Sequence, residues 1–125
     1  FHHLSPELAE SVLRDAITSS APMMVVEPFG RDPRAFWRYF PVGLPALLAN
    51  PLVTSNRRWQ QALLLYGSPL GLAAALWDGT VSTLRMYTEE DLREMVQRYS
   101  ENYTWTWSRH AYPPYGSGTL FFGAP

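Results

Sequence analysis

Met23-Met24-Val25-Val26-Glu27-Pro28 decides how this chain is read. Four consecutive apolar residues lie between Pro22 and the pair Glu27-Pro28. The run is too short for a core helix and is bounded by breakers, so it predicts a strand. Having no polar alternation, it predicts a strand buried on both faces, as in a parallel sheet. Glu27 then falls at the carboxyl end of that strand, the edge where α/β folds bind ligands.

Working outward, Ser5-Pro6-Glu7 is a helix start: Ser caps, Pro suits the first helical position and Glu suits the positive end of the dipole. Leu8, Val12, Leu13, Ala16 and Ile17 follow at helical spacing, and Ser19-Ser20 end the helix. Beyond the strand, Phe29 to Arg34 is a loop broken by Gly30 and Pro33. Tyr87-Thr88-Glu89-Glu90-Asp91-Leu92 starts a second helix, with Thr88 as cap, Asp91 reaching back to it and Tyr87 stapled to Leu92. Leu92, Met95, Val96 and Tyr99 form its buried stripe. Tyr103, Trp105 and Trp107 alternate with Thr104, Thr106 and Ser108, which is strand periodicity. His110 to Gly118 is a Pro/Gly-rich connection, and Thr119 to Phe122 is the last strand, antiparallel to its predecessor. The order is helix, strand, long helical insertion, helix, strand, strand, an α/β arrangement.

The insertion, Phe36 to Thr83, is unusual. Tyr39 to Asn56 and Trp59 to Trp77 carry no charge, and Arg57-Arg58 separates them. Pro41, Pro45 and Pro51 interrupt the first stretch; Gly67, Ser68, Pro69 and Gly71 interrupt the second. One reading is a pair of broken helices packed on the domain. The other is a surface, residues 39–77, that touches a membrane or an apolar substrate.

Composition narrows the function. The 125 residues suffice for one domain, 1–125. All ten cations are Arg, there are 11 acidic residues, and the net charge of −1 argues against nucleic acid as the main partner. With no Cys there is no disulfide, thiolate site or Cys nucleophile. The chain opens Phe1-His2-His3-Leu4, without Met or a signal-peptide pattern, and reads as a fragment entered in mid-motif. A cytoplasmic location follows as the expectation, with membrane association through the insertion.

The ordered motifs resemble the C-terminal half of a class I S-adenosylmethionine-dependent methyltransferase. Phe1-His2-His3-Leu4 resembles the segment after that family's fourth strand. Met23 to Pro28 resembles the fifth strand, Leu84 to Leu92 the turn into the next helix, and Tyr103 to Phe122 the sixth and seventh strands. The resemblance covers nearly the whole chain and implies a partial Rossmann-like sheet. Thr119–Phe122 would then insert between Met23–Val26 and Tyr103–Trp107. The family's Gly-rich loop and the acidic residue that holds the cofactor ribose are absent; both lie upstream in the family. The resemblance therefore implies S-adenosylmethionine with its main pocket ahead of this chain, and residues 36–83 as a lid. It also implies a bare apolar edge on the Met23–Val26 strand, which invites homo-oligomerisation.

Candidate site residues follow. His2 or His3 can take a proton from a hydroxyl or amine, and Glu27 can orient substrate or act as base. The resemblance places Phe1 and His2 beside the cofactor. Arg85 and Tyr87, just ahead of the Thr88 helix, and Trp77 in the insertion are candidate substrate contacts. Alternatively Glu27 pairs with Arg31 or Arg34, and Arg85 with Asp78, Glu89 or Glu90. No metal is expected: His110 is remote in sequence and no carboxylate has ligand spacing. Trp105, Trp107 and Tyr103 are core packing, and ordinary packing is also the default for Trp37, Trp59 and Trp77. Ser117 lacks a hydrolase elbow. The expectation is methyl transfer to a small, fairly apolar molecule. A non-enzymatic module binding membrane or a partner protein through the insertion is the alternative.

Overall fold

A computed structural model describes residues 1–54, 56–99 and 102–125. The elements are α1 (Pro6–Thr18), β1 (Met23–Glu27), α2 (Pro33–Val53), α3 (Arg58–Tyr66), α4 (Leu70–Arg85), α5 (Glu89–Gln97), β2 (Thr104–Tyr112) and β3 (Gly116–Ala124). The fold is mixed α/β, with a three-stranded antiparallel sheet ordered β1-β3-β2. The last strand therefore lies between the other two, as the resemblance implied, and β1 is an edge.

The two helices with clear start signals form where those signals stand. Ser5 Oγ accepts from the Leu8 N–H at the head of α1, with Pro6 in the first turn. At α5 the Asp91 N–H donates to Thr88 Oγ1 at 3.2 Å and the Thr88 N–H to Asp91 Oδ2 at 2.9 Å, a reciprocal capping box. Both helices pack on one face of the sheet. Leu13 of α1 and Leu92 and Val96 of α5 join Val25, Tyr103, Trp105 and Phe121 in the core. Trp105 and Phe121 stack with ring centroids 4.5 Å apart and planes 8° apart. Trp105 sits opposite Gly123, where a Cβ would meet the Trp105 and Tyr103 rings at 2.5 Å. Glycine there lets both rings lie across the strand.

β1 departs from the expectation of burial on both faces. Val25 is buried, whereas Met24 and Val26 are exposed, as is Phe122 beside Met24 in register. The cause is one-sided packing: α1 and α5 share a face, and among the described residues no helix buries Met24 or Val26 on the other.

The insertion also differs from a pair of broken helices. It is three helices, and α2 runs unbroken through Pro41, Pro45 and Pro51, starting at Pro33 inside the stretch read as loop. Each internal proline removes a ladder donor and costs about 3 kcal/mol in an ordinary helix. α2 nonetheless stays helical along its length, lying beside α3 and α4. Phe36 lies against Gly79 of α4, where a Cβ would sit 2.1 Å from the ring. Trp37, Trp59 and Trp77 are exposed, against the expectation of ordinary packing.

The segment read as a long connection is mostly strand. β2 runs on to Tyr112 and β3 begins at Gly116, so His110 and Ser117 lie in the ladder. A Cβ at Gly116 would fall 2.0 Å from the Tyr112 ring. The glycine that looked like a loop signal is the seat of that ring. Tyr112 Oη donates to Pro28 O at 2.6 Å, and Tyr39 Oη of α2 donates to Pro113 O at 2.9 Å. The rings of Phe29, Tyr112 and Tyr115 surround Tyr39 at 5.2–5.8 Å and fasten the insertion to the hairpin.

Candidate functional site

Glu27 ends β1 and is 6% exposed. A buried carboxylate needs hydrogen bonds, and the turn before α1 supplies them. The nitrogens of Phe1 and His2 both donate to Glu27 Oε1 at 3.0 Å, and His2 Nδ1 lies 2.7 Å from Oε2. Burial pushes the Glu27 pKa up. Hydrogen bonds from the His2 side chain and from the Phe1 and His2 backbone nitrogens, with the His2 charge, outweigh it, so the carboxyl stays below its ordinary 4.5. Glu27 pairs with neither Arg31 nor Arg34 among the described ion pairs.

A carboxylate accepts from Nδ1–H and so fixes the orientation of the imidazole; in the neutral ring Nε2 is then the acceptor. The pair is chemically a base held by a buried anion. His3 is exposed, with its ring centroid 4.1 Å from that of His2, so one histidine of the two is engaged with Glu27.

Tyr87 closes the other side. Its Oη donates to Leu4 O at 2.8 Å and its ring meets Phe1 edge-on at 5.7 Å. Desolvation, then the charges of Glu7 and Asp91, push the Tyr87 pKa up, with Arg31 opposing. The phenol is therefore a neutral donor. Tyr87 and Arg31 together border two cavities. One, of about 410 Å³, is also lined by Glu7, Glu10, Asp91 and Arg98; the other, of about 390 Å³, by Arg38, Trp107, Arg109 and Thr119. Both have charged walls, which does not match an apolar substrate, and His2 and Glu27 line neither.

Arg31 was missed by sequence reasoning. Its Nε donates to Met86 O at 2.7 Å and its Nη2 pairs with Asp91, tying the loop after β1 to the cap of α5. A lone arginine in a Gly/Pro loop has no periodicity to mark it; its place just beyond a strand's carboxyl end was the available signal. The structure thus brings Phe1, His2, Glu27 and Tyr87 together. Arg85 is exposed at the end of α4 and Trp77 is exposed midway along it; neither borders these cavities. Arg85 joins none of the described ion pairs.

No protein-family model, curated protein or solved structure matches the chain. The residues present also do not fit S-adenosylmethionine. The Phe1 ring rests on Tyr87 and the Phe1 and His2 nitrogens are spent on Glu27. Gly30 is the one glycine in the loop after β1, and among the described residues no Gly-rich cradle follows that strand.

Proposed function

We propose that this chain is the acceptor-side part of a class I S-adenosylmethionine-dependent methyltransferase acting on a small molecule. The observation that carries the reading is the sheet: a reversed last strand between β1 and β2, with α1 and α5 on one face. The bare opposite face, with Met24, Val26 and Phe122, and the unpaired edge of β1 leave room for further sheet and helices. On this reading those would bring the cofactor pocket, which the chain's own residues do not make.

The chain's contribution is on the acceptor side. Glu27 holds His2 so that Nε2 can take a proton from a hydroxyl or amine, and the carboxylate stabilises the resulting imidazolium.

The test is calorimetric titration of S-adenosylhomocysteine into two samples: this chain, and the chain with whatever its reading frame encodes ahead of Phe1. Binding to the longer protein alone supports the proposal. Binding to neither sinks it.

A further inference from the structure

We propose that the distal tip of the helical insertion docks on an anionic phospholipid surface. The inference does not rest on methyl transfer. Residues 33–77 carry Arg34, Arg38, Arg57 and Arg58 and no Asp or Glu, a charge of +4 in a chain whose net charge is −1. The remaining residues hold every acidic group of the protein. Arg34 and Arg38 stand in the first turns of α2, whereas Arg57 and Arg58 lie past its far end at the start of α3, so the far end of the insertion is cationic and complementary to anions.

That cationic end is also apolar on its surface. α2 carries the tip roughly 25 Å from Phe36, where the insertion meets Gly79, to Val53. There Val53 is 78% exposed, Trp59 88% and Leu63 70%, with Leu52 and Leu70 also exposed. These residues come from the end of α2, from α3 and from the start of α4. Thr54 Oγ1 donates to Gln61 Oε1 at 2.6 Å and Tyr66 Oη bonds Leu48 O, holding α2 and α3 side by side. The patch is therefore preformed.

Arg57 and Arg58 stand in its midst. Arg57 is exposed, has φ 56° in the left-handed region that favours glycine, and makes no side-chain cap for α3. Arg58 Nε donates to Thr54 O at 2.9 Å, which ties its side chain back to the end of α2. Two guanidinium groups beside a protruding tryptophan and leucines match the headgroup layer of a bilayer, where Arg meets phosphate and the indole sits at the boundary. Among the described residues no helix is long and apolar enough to cross a membrane. The contact is therefore one of lying on the surface.

Co-sedimentation of the 125-residue chain with vesicles tests the proposal, using phosphatidylcholine alone and phosphatidylcholine mixed with phosphatidylglycerol. Binding is expected on the anionic vesicles, with far less on the neutral ones and a decline as salt rises. The double substitution Arg57→Gln and Arg58→Gln should weaken partitioning about thirty-fold, the worth of two cations at an anionic surface. Arg93→Gln, an exposed position on α5 remote in sequence from the tip, should leave it unchanged. Brominated lipid should quench tryptophan fluorescence in the wild type, and Trp59→Phe should abolish that quenching; this reading needs no charge variant to fold. Equal binding to both vesicles, wild-type binding by the double variant, or quenching that survives Trp59→Phe would overturn the proposal. So would binding to neither vesicle, including the case in which the chain self-associates through this tip.

Discussion

His2 Nδ1 lies 2.7 Å from Glu27 Oε2, joining the residue just ahead of α1 to the last residue of β1 across 25 positions. Glu27 is buried and accepts two further N–H groups, so the contact both anchors the turn before α1 and orients an imidazole.

Glu27→Gln should cost about 1–3 kcal/mol, because charge-assisted bonds in a buried site are replaced by weaker, partly mismatched ones. The dependence on pH has a definite sign. The folded-state pKa of Glu27 lies below its ordinary 4.5, so its contribution is present above that value. It is lost as pH falls through the depressed folded value. Thermal unfolding followed across acidic pH should show wild type and variant converging at low pH and separating above about pH 5. A gap that widens on acidification would contradict the assignment.

Phe121 and Phe122 are neighbours with opposite fates. Phe121 is fully buried against Trp105, while Phe122 is exposed beside Met24. Phe121→Ala should destabilise by about 3–5 kcal/mol through lost burial and a cavity. Phe122→Ser should change stability by less than about 1 kcal/mol and reduce self-association, since it removes apolar area from the bare face. Urea unfolding together with sedimentation velocity distinguishes the two; equal losses would mean that the face is covered.

The capping box predicts a smaller, local effect. Thr88→Ala removes the acceptor for the Asp91 N–H and should cost about 0.5–2 kcal/mol. Asp91→Ala should cost more, because it also releases Arg31. Chemical denaturation of both variants gives the ranking, and a Thr88→Ala loss at least as large would mean the Arg31 pair contributes nothing.

Much of this was readable in advance, for identifiable reasons. Ser5-Pro6-Glu7 and Thr88 to Asp91 act through backbone groups within three residues, so they survive any tertiary context. Tyr103, Trp105 and Trp107 carry a period of two that only a half-buried strand satisfies. Met23 to Val26 carries no period, so its one-sided burial was invisible. The three prolines of α2 misled because propensity is a weak prior. His2 and Glu27 were each singled out, but a contact spanning 25 residues has no local signature. Gly116 looked like loop chemistry because its actual role, making room for a ring across the ladder, depends on pairing.

That role yields the last prediction. Tyr112 covers Gly116, donates to Pro28 O and meets Tyr39, the α2 residue that bonds Pro113 O. Gly116→Val places a side chain where the Tyr112 ring lies and must move it. Overpacking of this kind costs about 1–3 kcal/mol, and here the loss should be uneven. The sheet core around Phe121 lies on other residues, whereas α2 loses its aromatic seat on the hairpin. Hydrogen exchange should therefore accelerate in the first turns of α2 while amides near Phe121 stay protected. Tyr112→Phe, which keeps the ring and removes only the bond to Pro28, should produce a fraction of that effect. Uniform acceleration across sheet and insertion in Gly116→Val would show that the seat is part of the main core and not a separate fastening.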